Sequence, residues 1–71
     1  MYRLIAHTEG YQEIKGECAS LDRCRHKFVE CLRANTWPKG CEVIAEDTET
    51  NARYWLNTGE WQFVPAVVVL A

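Results

Sequence analysis

Ser20-Leu21-Asp22-Arg23-Cys24-Arg25-His26-Lys27-Phe28-Val29-Glu30-Cys31-Leu32-Arg33-Ala34 is the stretch that decides the fold. Ser20 is an N-cap residue, with a hydroxyl suited to accept from a free backbone N–H of the first turn. A helix follows over residues 21–34. At about 100° per residue, Leu21, Cys24, Phe28, Cys31 and Leu32 fall on one stripe. Asp22, Arg23, His26, Lys27, Glu30 and Arg33 occupy the opposite arc. Arg25 falls at the stripe's edge, where it must reach for solvent or a partner. Asn35 and Thr36 end the helix, with Pro38 and Gly40 just beyond. One apolar stripe of this kind needs a sheet to pack on.

The flanks supply the strands. Met1 to Thr8 is a short apolar run, and Glu9-Gly10 is a turn signal. Tyr11 to Cys18 alternates, with Ile14, Gly16 and Cys18 on one face and Glu13, Lys15 and Glu17 on the other. It is expected to pair back as a hairpin. Beyond the helix, Cys41 to Asp47 alternates again, with Cys41, Val43 and Ala45 against Glu42, Ile44 and Glu46. Thr48 to Asn51 is a polar turn, and Arg53 to Leu56 is aromatic and strand-like. Asn57-Thr58-Gly59-Glu60 reads as a tight turn, Gly59 supplying positive φ. Trp61 to Val64 is the last firm strand before Pro65. Val67 to Leu70 reads as an extra edge strand or a docked tail. The expectation is an α+β fold over residues 1–71: ββαβββ order, a single antiparallel sheet, and one helix packed on one face.

Size limits function. The chain has 71 residues, 48% hydrophobic and 25% charged. That is one domain with a thin core, burying only ~60–65% of its unfolded surface. A cleft needs walls, and so short a chain spends nearly all its apolar side chains on folding. No GxSxG, HExxH or Gly-rich phosphate loop is present. Asp22, His26 and Glu30 share one helix face, a pattern that can orient a base but usually forms a solvated ion-pair ladder. No catalytic residue and no cofactor is expected. Cys18, Cys24, Cys31 and Cys41 show no CxxC spacing. Cys24 and Cys31 stand ~10 Å apart along a helix axis, too far to bond each other or share one zinc. No metal site is expected, and the four read as reduced, partly buried thiols. No signal-peptide pattern and no span of ~20 apolar residues is seen, so a soluble, cytoplasmic protein without membrane contact is expected.

The formal net charge of −2 conceals a polarity. Residues 20–35 carry Arg23, Arg25, Lys27 and Arg33 against Asp22 and Glu30. Residues 42–60 carry Glu42, Glu46, Asp47, Glu49 and Glu60 against Arg53. If Val43, Ala45, Tyr54, Leu56, Trp61 and Phe63 face the helix, then Ile44, Arg53, Trp55, Gln62 and Val64 face away from it. Ile44 and Trp55 then stand where water should be, and aromatic and Arg residues are common interface anchors. The first expectation is a protein-binding module using Glu42, Ile44, Glu46, Asp47, Glu49, Arg53 and Trp55. The acidic members would meet lysines of a protein surface that normally holds nucleic acid. The alternative is a small nucleic-acid-binding regulator using Arg23, Lys27 and Arg33. A further possibility is an oligomer-forming module, so monomer and homodimer both stay open.

Two stretches carry a resemblance. Glu17-Cys18-Ala19-Ser20-Leu21-Asp22 leads from a strand into the helix. Tyr54-Trp55-Leu56-Asn57-Thr58-Gly59-Glu60-Trp61 forms an aromatic hairpin with Gly at its tip. In these, and in size and element order, the chain resembles small phage-encoded anti-CRISPR proteins, the inhibitors of type I surveillance complexes. The resemblance implies a bent antiparallel sheet with one helix. It also implies non-enzymatic binding to a host CRISPR-Cas complex in the host cytoplasm, blocking target DNA. The four cysteines and the Val-rich tail depart from that pattern.

Overall fold

A computed structural model describes residues 1–64; the expectation for Val67 to Leu70 lies outside the described residues. The elements are β1 (Tyr2–Thr8), β2 (Tyr11–Cys18), α1 (Leu21–Arg33), β3 (Glu42–Asp47), β4 (Arg53–Asn57) and β5 (Glu60–Val64). The strands form one antiparallel sheet in the order β2-β1-β3-β4-β5, and α1 packs chiefly over β1, β2 and β3. This is the expected α+β architecture.

The helix ends are set by local chemistry. Ser20 Oγ accepts from the Arg23 backbone N–H at 3.2 Å. At the other end Asn35 sits at φ 56°. The Thr36 N–H then reaches the Cys31 carbonyl at 2.9 Å, and the Asn35 N–H reaches that of Leu32 at 3.2 Å. This paired closure satisfies carbonyls the last turn leaves free, and Asn tolerates the left-handed backbone it needs. Trp37 folds back beyond it. Its ring meets Phe28 edge-on at 4.8 Å, and Nε1 donates to the Cys41 carbonyl at 3.2 Å. The loop is thereby pinned to the helix.

The core is small. Leu4, Cys24, Val43 and Ala45 are buried at its centre, with Tyr2, Cys18, Leu21, Phe28, Trp37, Leu56 and Trp61 packed around them. Leu32, expected on the apolar stripe, is 49% exposed. The stripe is centred on the buried Cys24 and Cys31, and Leu32 lies about 100° round from Cys31. All four cysteines are free thiols. Burial, with the Cys18 thiol next in effect, pushes the Cys24 thiol up to about 12.

One expectation about strand facing is overturned. Leu4 pairs with Gly16 but Ile5 pairs with Ile14, so Lys15 is an extra residue in β2. Such a β-bulge reverses which residues of a strand face the core. Gly16 and Cys18 stay on the helix side, while Ile14 turns to the opposite face and is 58% exposed. Lys15 reaches the end of the helix instead, where Nζ donates to the Thr36 carbonyl at 3.0 Å and to Glu13 at 3.2 Å.

Candidate functional site

The face of the sheet away from α1 is organised in rows across the strands. The first row runs Glu17, Arg3, Glu46, Arg53, Val64 from β2 to β5. Four of its members alternate in charge and pair with each other. Arg53 Nε donates to Glu46 Oε2 at 2.9 Å, Arg3 Nε lies 3.5 Å from Glu17 Oε1, and Arg3 Nη1 lies 4.0 Å from Glu46 Oε1. Cross-strand ion pairs at such exposure contribute roughly 0.2–1 kcal/mol each. Their larger effect here is to neutralise this edge of the face.

The second row is apolar. Ile14, Ile5, Ile44 and Trp55 stand side by side on β2, β1, β3 and β4, with Gln62 next on β5. The parity expected for β3, β4 and β5 is therefore present: Ile44, Arg53, Trp55, Gln62 and Val64 all face away from the helix. Ile44, however, is not exposed. It retains 7% of its surface, and Ile5 retains 3%. Both lie on central strands. Arg3 and His7 flank Ile5 along its strand, and Glu42 and Glu46 flank Ile44 in the same way. Long side chains on all sides shield such central positions. The row opens only toward its ends, at Ile14 and at the half-buried Trp55.

A third row holds Gln12, His7 and Glu42. His7 Nδ1 is buried without a hydrogen-bond partner, and Glu42 Oε2 lies 3.9 Å from it. The apolar row thus has a charge ladder on one side and a His–Glu pair on the other.

The acidic residues singled out in the sequence do not form one patch. Glu42 and Glu46 share the open face, with Ile44 between them. Asp47 points to the helix side, opposite Tyr2. Its carboxylate caps the β3–β4 turn, accepting from the backbone N–H groups of Glu49 at 2.9 Å and Thr50 at 3.4 Å. The Glu49 N–H leads in holding the Asp47 carboxyl below its ordinary value. Glu49 itself is exposed in the turn. Only Glu42, Ile44, Glu46, Arg53 and Trp55 of the expected site are brought together. Ile14, Ile5, Arg3 and His7 belong with them, and sequence alternation missed Ile14 because nothing in it marks the bulge.

Comparison with family models, curated proteins and solved structures gives no match. Function therefore rests on this chain's own geometry.

The basic helix residues are divided. Arg23 and Lys27 border a shallow hollow with Glu17, His26 and Glu30. Arg33 borders a different one with Asp22, Arg25 and Glu30. Arg33 is about 120° round the axis from Lys27. Arg25 is exposed, and its guanidinium lies near the tip of the β4–β5 hairpin, 3.9 Å from where a Cβ on Gly59 would stand. Among the described residues, no three His, Cys, Asp or Glu side chains converge as metal ligands, and no helix is long and apolar enough to cross a membrane.

Proposed function

We propose that this chain is a small non-enzymatic binding protein that docks a protein partner on the open face of its sheet. The observation that carries the reading is the apolar row across the face the helix leaves uncovered, which offers a partner its two accessible ends, Ile14 and Trp55, over the buried Ile5 and Ile44. The paired charges beside it refine the partner's chemistry. Glu46 is already held by Arg53 and Arg3, so it has little to offer partner lysines. The favoured partner surface is apolar, with polar groups at its rim that can exchange with the Glu17–Arg3–Glu46–Arg53 ladder.

The narrower reading is a phage-encoded inhibitor of a type I CRISPR-Cas surveillance complex that keeps target DNA out. It rests on the resemblance of the strand–helix junction and the aromatic hairpin. The test is capture of a purified type I complex by the immobilised chain, with labelled target DNA as competitor. Capture that target DNA relieves, and that Ile14→Asp and Trp55→Ala each weaken, supports both readings. Failure to capture removes the inhibitor reading. Partners captured equally well by the wild type and both variants remove the docking face.

A further inference from the structure

The two edges of the sheet are unlike. The β2 edge carries the bulge at Lys15 together with Glu13 and Glu17, features that block pairing with another chain. β5 has a regular register and one charge, Glu60, and among the described residues it pairs only with β4.

The β4–β5 turn sets which groups of β5 are free. Thr58 and Gly59 both have positive φ, 50° and 83°, the signature of a two-residue type I′ hairpin. Asn57 and Glu60, which close it, exchange both backbone hydrogen bonds, and the pattern alternates along the ladder. Glu60, Gln62 and Val64 therefore bond to β4, while the N–H and C=O of Trp61 and Phe63 point to the open edge. On the helix side of the sheet, Tyr54 meets Phe63 edge-on at 5.7 Å and Tyr2 meets Tyr54 at 6.3 Å. This aromatic row ends at the edge on Phe63, which is 60% exposed.

We infer that β5 pairs antiparallel with β5 of a second copy, about a two-fold axis through Gln62. In this register Trp61 of each copy exchanges both backbone bonds with Phe63 of the other, which uses every outward backbone group of β5 that is unpaired among the described residues. Each Phe63 then gains a Trp61 ring as its cross-strand neighbour, prolonging the aromatic row. Glu60 falls opposite Val64, so no like charges meet. A register centred on Phe63 would set Trp61 against Pro65, which has no N–H, and one centred on Trp61 runs into the turn at Gly59. The self-complementary strand favours a second copy over an unrelated peptide. The dimer extends the sheet to ten strands and leaves the Ile14 end of the open face free.

Sedimentation of the full chain from about 10 µM to about 1 mM tests this. A monomer–dimer equilibrium is expected. Gln62→Lys places two like charges opposite each other and should raise the dissociation constant about two- to fivefold. Phe63→Pro deletes the outward N–H on both strands without touching the bonds to β4, so two bonds across the axis are lost and the dissociation constant should rise about tenfold or more. Gln62→Cys sets two thiols across a non-hydrogen-bonded pair, with Cα atoms ~4.5 Å apart. Diamide, itself reduced to the hydrazine, should oxidise them to a covalent dimer well above the wild-type level. A chain that stays monomeric throughout and fails to cross-link as Gln62→Cys overturns the proposal. So does a dimer that Val68→Asp disperses and Gln62→Lys and Phe63→Pro leave intact.

Discussion

Deleting Lys15 should leave the fold standing, an outcome unusual for a deletion inside a strand. Gly16 already pairs with Leu4 and Ile14 with Ile5, so removing the residue between them turns the bulge into a regular ladder. Tyr11 to Ile14 keep their partners, Ile14 still faces away from the helix, and the core residues do not move. What is lost is local: the bond from Nζ to the Thr36 carbonyl and the ion pair with Glu13. A charged donor to a carbonyl is worth about 1.5 kcal/mol and a half-exposed pair roughly 0.2–1 kcal/mol, so about 2 kcal/mol is at stake. A domain of this length has roughly 4–10 kcal/mol to lose. The urea midpoint should therefore fall with an unchanged m-value, and Tm should drop by about 8–16 °C. Deleting Ile5 from the middle of central β1 is the control, since it turns either Leu4 or Ala6 to the wrong face against both neighbours and should abolish cooperative unfolding. If the Lys15 deletion unfolds the protein as the Ile5 deletion does, the bulge does not set the facing of Ile14.

Three further outcomes are expected. Asn35→Gly should stabilise slightly and Asn35→Ala should cost about 1 kcal/mol, because the residue holds φ 56° at the helix end; equal midpoints for the two variants would contradict this. Asp47 and Glu13 carboxyls are held below their ordinary values, Asp47 first by the Glu49 N–H and Glu13 first by the Tyr11 hydroxyl. Their folded pKa values lie below the unfolded ones, so this stabilisation is complete above the unfolded carboxylate range and is lost as pH falls through the folded values. Asp47→Asn should flatten the acid limb of stability measured by urea unfolding below about pH 4, and an unaltered limb would exclude that role for Asp47. Cys24, fully buried and with its thiol raised to about 12, should be slower to react with a thiol reagent than half-buried Cys18 and Cys41, as peptide mapping over time would show. Early modification of Cys24 would refute it.

Much of the architecture is written in local pattern. Ser20, the helical stripe and Asn35 bound α1 because capping and periodicity act within a few residues. The facing of β3, β4 and β5 follows from period-2 alternation, because those strands pair without interruption. Gly59 announces the β4–β5 hairpin by the positive φ it adopts freely, whereas β-branched Thr58 is held at φ 50° against its own preference. What the tertiary structure decided are relations between distant residues. The bulge arises where β2 meets β1, and only the pairing shows that Lys15 is the unmatched residue. Ile44 lies on the open face as alternation requires, yet it is covered, because burial at a central strand depends on its neighbours in the row. Adjacent Glu46 and Asp47 belong to opposite faces and different tasks, one in a charge ladder and one capping a turn. Alternation separates such residues, but pairing across strands assigns their partners. Local chemistry thus determined where each element begins and ends, and long-range packing decided which side chains a partner can reach.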